Sequence, residues 1–139
     1  MSMKVSRRSA AIITESLPLM EARRDELEVA IRRVMERESE CDIWRDGNRT
    51  VTVAIMNMLF DYARQIKPSG VVLPIETHAR RHRDLAVRSG HYSAFGGGLN
   101  AVIKDVLRAD ATPSLLAAWT DAYWAIVKAN ASAELRLAA

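Results

Sequence analysis

The chain has few residues of the kinds that build disulfide frameworks or membrane spans. Among its 139 residues there is one cysteine, with four prolines and six glycines. The single thiol, Cys41, excludes an internal disulfide and fits a reducing compartment, so we expect a cytoplasmic protein. No apolar run approaches the roughly 18 residues that a membrane span requires. The basic start of the chain lacks the apolar core of a signal peptide, so we also expect no secretion.

An excess of charge of one sign is also missing. The chain carries 20 basic and 17 acidic residues, for a net charge of +3, and they are spread evenly along it. This balance disfavours nucleic acid as a partner, which would require a concentrated basic surface. With 49% hydrophobic residues, the chain is long enough for one globular domain over residues 1–139.

Strand patterns are nearly absent, and the segments between breaker residues show helical periodicity, so we predict an all-α fold. Pro18 is expected to kink the first helical region, and Ser89-Gly90 to end the helix that contains the arginine cluster. Thr112 and Pro113 form a good start for the last helix. The predicted helical segments cover residues 6–39, 49–65, 75–92, 91–107 and the chain from 113 onward.

The segment 75–92 organises the rest of the chain, because its apolar face carries a histidine. That face is formed by Ile75, Ala79, His82 and Ala86 at helical spacing, opposite a face rich in arginine. An inward histidine is either a core residue with a hydrogen-bond partner or a metal ligand. The residues alone leave both readings open.

A second unusual residue is Glu134, which follows Tyr123 by about three helical turns and so continues the inward face of the last helix. It is either a buried carboxylate that needs a partner or an exposed residue near the chain end. The glycines at 96–98, within a helical segment, predict a close approach of another helix or of a flat ligand.

The order of helices and the spacing of these residues resemble the globin family. They are most similar to bacterial single-domain haemoglobins and to the haem domain of flavohaemoglobins. The motif that carries the resemblance is ARRH followed after nine residues by tyrosine, with His82 at the family's proximal histidine and Tyr92 at its tyrosine. Trp119, Tyr123 and Glu134 match the last helix. Between the second helix and the central helix, the chain is shorter than its relatives.

The resemblance implies that haem b binds through iron ligated by His82, with Tyr92 and Glu134 as hydrogen-bond partners of the imidazole. Arg81 or Arg83 would pair with the haem propionates. Phe95 would contribute to the pocket.

On the opposite side of the haem, the sequence departs from the family. Arg32 stands where relatives have a tyrosine, with Ile31 beside it. Val51 stands where they have a glutamine, with Ile55 one turn further on. Trp44 takes the place of the phenylalanine that wedges the haem. The expected pocket is therefore largely apolar, with an arginine as its single donor.

The resemblance further implies reversible binding of a diatomic gas, namely oxygen, nitric oxide or carbon monoxide, for transport, scavenging or sensing. The chain has no glycine-rich fingerprint of a reductase domain, so nitric oxide dioxygenase turnover would need an external reductase. Weak peroxidase activity and a homodimeric state are further possibilities. The alternative is a haem-free globin-like sensor or protein-interaction domain.

Overall fold

The computed structural model describes residues 3–37 and 48–138, and it confirms the all-α class. Trp44 and Cys41 lie outside the described residues, as does the shortened connection between the second and the central helix. Two short strands accompany the helices. In chain order the elements are β1 (Met3–Lys4), α1 (Arg7–Ala22), α2 (Arg24–Arg37), α3 (Asn48–Gln65), β2 (Val71–Val72), α4 (Glu76–Asp84), α5 (Ser89–Leu107), a 3-10 turn (Arg108–Asp110) and α6 (Pro113–Ala138).

The first helical region is divided at Arg23 rather than at Pro18, which lies inside α1. The Arg23 backbone N–H turns back to the carbonyls of Leu19 and Met20, both at 3.2 Å. Its guanidinium pairs with Glu26 at 2.8 Å and donates to the Val106 carbonyl at 3.0 Å. The boundary is therefore fixed by a side chain that ties the start of α2 to the end of α5.

The predicted single helix over 75–92 is wrong, because α4 ends at Asp84 and α5 begins at Ser89. Ala86 adopts a left-handed conformation with φ of 55°, which ends a right-handed helix. The Arg88 backbone N–H donates to Nδ1 of His91 at 2.8 Å, so a histidine side chain caps the start of α5. Ser89 and Gly90 therefore start a helix rather than stop one, and Ala86 is exposed rather than inward.

The core surrounds α3, which is apolar on most sides as predicted. Ile55, Met58 and Phe60 are fully buried. The largest buried side chain, Trp119 of α6, packs against Phe60 and donates from its indole nitrogen to Ser16 Oγ of α1 at 2.8 Å. α6 begins as predicted, with Thr112 Oγ1 accepting from the Leu115 N–H at 3.2 Å.

The antiparallel pair β1–β2 fixes the connection between α3 and α4. Val5 N–H donates to the Gly70 carbonyl at 2.9 Å. Gly70 has φ of 91°, and a Cβ atom there would lie 1.9 Å from the Val5 oxygen, so only glycine fits. Within the described residues, no helix is both long and apolar enough to cross a membrane.

Candidate functional site

His82 of α4 is fully buried, and its ring is contacted from three other helices. The Tyr92 hydroxyl oxygen of α5 lies 2.6 Å from Nδ1, and the two rings stack with centroids 5.7 Å apart. On the other side of the ring, Nε2 lies 3.2 Å from the Ala54 carbonyl oxygen of α3. Both ring nitrogens therefore have a partner, which a buried imidazole requires.

Two residues of the site were missed by the sequence analysis. Asn130 of α6 places its amide nitrogen 3.4 Å from His82 Nδ1. Tyr62 of α3 donates its hydroxyl to Asn130 Oδ1 at 3.3 Å and accepts the Ile75 N–H at 2.8 Å. The available signal was an amide on the apolar face of the last helix, one turn before Glu134. The result is a buried polar network that joins α3, α4, α5 and α6.

The surroundings of His82 keep its imidazole neutral at physiological pH. Burial is the main cause that lowers its pKa from 6.5 to about 4, and the nearby charges of His78 and Arg81 act in the same direction. The hydrogen bond to the Ala54 carbonyl opposes this shift. Burial also raises the pKa of the Tyr92 hydroxyl, with a further contribution from the negative charge of Glu134. A neutral imidazole is the form that ligates metals.

Glu134 is half-buried, and its Oε1 atom is buried without a hydrogen-bond partner. Burial raises the pKa of this carboxyl group, and the charge of Arg83 offsets part of that rise. The negative charge of Glu134 in turn raises the pKa of Tyr92, and the Oε1 atom is free to accept a hydrogen bond.

The other residues predicted to line the haem pocket are mostly in the core. Ile31, Ile55 and Phe95 are fully buried, and Val51 is nearly so. Phe95 stacks on Tyr123, with ring centroids 5.2 Å apart. Of the predicted arginines, Arg32 is half-buried, whereas Arg81 and Arg83 are exposed.

The donor chemistry of the site fits a haem iron, but the space does not. An imidazole–metal bond is about 2 Å long, and atoms in van der Waals contact are about 3.5–4.0 Å apart. A flat porphyrin between His82 and α3 would therefore require more than about 5 Å between Nε2 and the first atom of α3. The observed separation is 3.2 Å, to the Ala54 oxygen. Haem would fit only after α3 and α4 had moved apart.

Two surface cavities lie away from His82. One of about 300 Å³ is lined by Pro74, Glu76, Ala133, Arg136 and Leu137. The other, of about 400 Å³, lies between α2 and the end of α5. The described residues contain no group of three or more histidine, cysteine, aspartate or glutamate side chains placed to hold a metal ion.

The described residues form an all-α, globin-like fold around a buried histidine. No family model matches the chain. It is similar to curated flavohemoproteins: 33% identical to that of Bacillus subtilis over 82 residues, which cover 58% of this chain and 21% of the relative. The flavohemoprotein of Bordetella parapertussis is 43% identical over 63 residues, 45% of this chain and 16% of the relative. Flavohemoprotein B of Dictyostelium discoideum is 28% identical over 137 residues, 94% of this chain and 32% of the relative.

These similarities confirm the resemblance to flavohaemoglobins that the motif around His82 predicts. The chain spans between about a sixth and a third of the length of these three relatives. What the complete relatives do therefore bears on this chain only as a proposal.

Proposed function

We propose that this chain is a haem-binding globin domain in which His82 is the axial ligand of the iron. The names of its relatives support haem as the cofactor. The observation that carries the proposal is a fully buried, neutral imidazole whose Nδ1 contacts the Tyr92 hydroxyl at 2.6 Å. A partner at one ring nitrogen fixes the orientation in which the other nitrogen faces a metal. Haem b is the form that the resemblance to flavohaemoglobins implies.

The same proposal assigns a diatomic gas as the ligand: oxygen, nitric oxide or carbon monoxide. The side chains expected to face such a ligand, Ile31, Val51 and Ile55, are apolar and buried. Arg32, half-buried, is the single candidate donor. An apolar pocket offers bound oxygen little hydrogen-bond stabilisation, so rapid release of oxygen is expected.

Redox turnover would need electrons from outside these residues. We propose an external reductase for any nitric oxide dioxygenase activity. Weak peroxidase activity at the same site is a further part of the proposal. A cytoplasmic location and a homodimer remain predictions from the sequence.

A second candidate function is a haem-free globin-like sensor or interaction domain. The contact of 3.2 Å between His82 Nε2 and the Ala54 carbonyl favours it, because the position of the iron is closed. In that case His82 would be a structural residue whose two nitrogens are satisfied by α3 and α5.

The deciding experiment is an absorption titration of purified protein with haem, in the ferric state and after reduction under carbon monoxide. The matched variants are His82→Ala and His78→Ala, which remove two buried histidines on the same face of α4. Wild type and His78→Ala are expected to give a Soret band at equimolar haem, and His82→Ala is expected to lose it or shift it strongly. A wild-type protein that stays colourless would establish the haem-free alternative. Equal spectra for wild type and His82→Ala would refute ligation by His82.

A further inference from the structure

The donor and the acceptor of each hydrogen bond around His82 can be assigned, starting with the Ala54 carbonyl. A backbone carbonyl oxygen can only accept, and Nε2 lies 3.2 Å from it. Nε2 must therefore carry the hydrogen in this conformation. A neutral imidazole has one N–H, so Nδ1 of His82 must be an acceptor.

The other members of the network agree with this direction. The Ile75 N–H donates to the Tyr62 oxygen at 2.8 Å, and the Tyr62 hydroxyl donates to Asn130 Oδ1 at 3.3 Å. This orients the amide so that its nitrogen points at His82 Nδ1, 3.4 Å away. The Tyr92 hydroxyl, at 2.6 Å, is the second donor to the same atom.

We infer that the closed conformation, in which the Ala54 carbonyl lies against Nε2, holds His82 as the Nε2–H tautomer, which cannot ligate a metal through Nε2, and that Asn130 is the positioning residue that favours it. A metal ligand at Nε2 needs the lone pair that the Nε2–H bond occupies. Metal binding there requires the hydrogen to be on Nδ1 instead. The second half of this inference, on ligation, rests on the proposed function.

The chain holds an acceptor for the alternative tautomer. When Nε2 loses its proton to solvent and Nδ1 takes one up, the imidazole stays neutral and no net proton is gained. The Tyr92 oxygen then accepts from Nδ1–H, and its hydroxyl hydrogen must turn to another acceptor. The negative charge of Glu134 acts on the Tyr92 hydroxyl, and Glu134 Oε1 is buried without a hydrogen-bond partner, so we assign this carboxylate as the acceptor to which the hydroxyl turns. Asn130 and Glu134 thus favour opposite tautomers of one histidine.

The tautomer can be read directly from a long-range ¹H–¹⁵N correlation spectrum of haem-free protein labelled with ¹⁵N-histidine at neutral pH. The chain has three histidines, so the variants His78→Gln and His91→Gln assign the signals. The expected result is a neutral His82 with a protonated Nε2. A protonated Nδ1, or equal averaging of the two tautomers, would overturn the inference. This spectrum of the wild type decides the point even where a variant fails to fold.

A variant tests the role of Asn130. Asn130→Asp replaces the donor at Nδ1 with an acceptor, so His82 is expected to change to the Nδ1–H tautomer. Asn100→Asp, the same change on the exposed face of α5, is the control and should leave the His82 signals unchanged. Haem uptake by Asn130→Asp is expected to be faster than in wild type, because the tautomer that ligates through Nε2 is already present. An unchanged tautomer in a folded Asn130→Asp variant would refute the role of Asn130.

The tautomer spectrum and the haem titration separate the two proposals. Protein that binds haem through His82 but shows Nδ1–H in the haem-free state would refute the inference and leave the proposed function intact. Protein that shows the Nε2–H tautomer but never takes up haem would refute the proposed function, while the assignment of the Nε2–H tautomer would stand.

Discussion

Asp61 Oδ2 lies 2.7 Å from His78 Nε2, and this contact joins α3 to α4 one helical turn from His82. His78 is buried, whereas 42% of the Asp61 side chain is exposed. The pair therefore lies at the solvent side of the interface between α3 and α4, the two helices that would have to part if haem binds as proposed. It acts together with the Tyr62 contact to Ile75 at the beginning of α4.

Removing the charge of Asp61 should loosen α4 with little loss of global stability. For Asp61→Asn we expect a decrease of less than about 1 kcal/mol in the free energy of unfolding, because the contacts of the partly exposed Asp61 carboxylate with His78 and Arg64 contribute little. Amide hydrogen exchange in α4 should nevertheless accelerate, and haem uptake with it. The control is Glu76→Gln, which breaks a pair with Arg80 inside α4 at 2.5 Å without touching α3. Equal exchange in the two variants would show that Asp61 does not hold the helices together.

Tyr92 and Tyr123 are both buried tyrosines whose hydroxyl groups make a hydrogen bond. The Tyr123 hydroxyl donates to the Tyr92 carbonyl at 2.8 Å, whereas the Tyr92 hydroxyl contacts His82. Each change to phenylalanine should lower the free energy of unfolding in urea by about 1 kcal/mol, the usual net worth of a hydrogen bond. Only Tyr92→Phe is expected to weaken haem affinity, by ~10-fold or more, because it removes the partner of His82. An equal loss of affinity in both variants would assign the effect to packing instead.

The low pKa of His82 predicts a loss of stability as the pH falls. The folded protein protonates this imidazole at a pKa of about 4 and the unfolded chain near 6.5, so the unfolded state binds more protons between these values. Between pH 7 and pH 5 the unfolding free energy should decrease by about 2 kcal/mol from this group alone. Chemical denaturation at both pH values measures the change. The slope should flatten in His82→Gln and remain in His78→Gln, and a wild-type curve as flat as that of His82→Gln would contradict the assignment.

Two glycines should respond in opposite ways to alanine. Gly70→Ala forces a Cβ atom against the Val5 carbonyl at a positive φ, so a loss of about 1–3 kcal/mol is expected. Gly97→Ala, inside α5 with no atom within 4 Å of the new Cβ, should gain about 0.5–1 kcal/mol from the better helix former. Thermal unfolding of both variants tests this, and a destabilised Gly97→Ala would mean that its surface is covered in solution.

The glycine run itself was partly understood from the sequence. A close approach of helices was expected there, and a Cβ at Gly98 would lie 2.5 Å from Val34 of α2. Gly96 serves the same purpose toward Trp124 of α6. The flat-ligand alternative is not needed to explain either position, because helix packing accounts for both.

Local chemistry explains which parts of the fold could be predicted. Thr112 and Pro113 determine the start of α6 through their own backbone preferences, and helical spacing put His82 inward. The end of α4 could not be predicted, because Ala86 adopts its positive φ without a glycine to mark it. The division at Arg23 depends on a carbonyl of α5, 83 residues away in the chain.

The candidate site shows the same division. The contact between His82 and Tyr92 follows from their spacing and a family pattern. Asn130 stood out only as an amide on an apolar face, and its role was missed because its partners, Tyr62 and His82, are brought to it by the packing of three helices. The closeness of Ala54 to His82 depends on how α3 packs on α4, which no local pattern specifies.

The β1–β2 pair has a practical consequence for handling the protein. Met3 pairs with Val72, so the amino-terminal residues run alongside the segment that leads into α4. An affinity tag fused at that end would lie beside the segment that leads into α4. The carboxyl end of α6 approaches the same segment, since Arg136 and Leu137 line a cavity with Pro74 and Glu76, so any tag should be removed before haem uptake is timed.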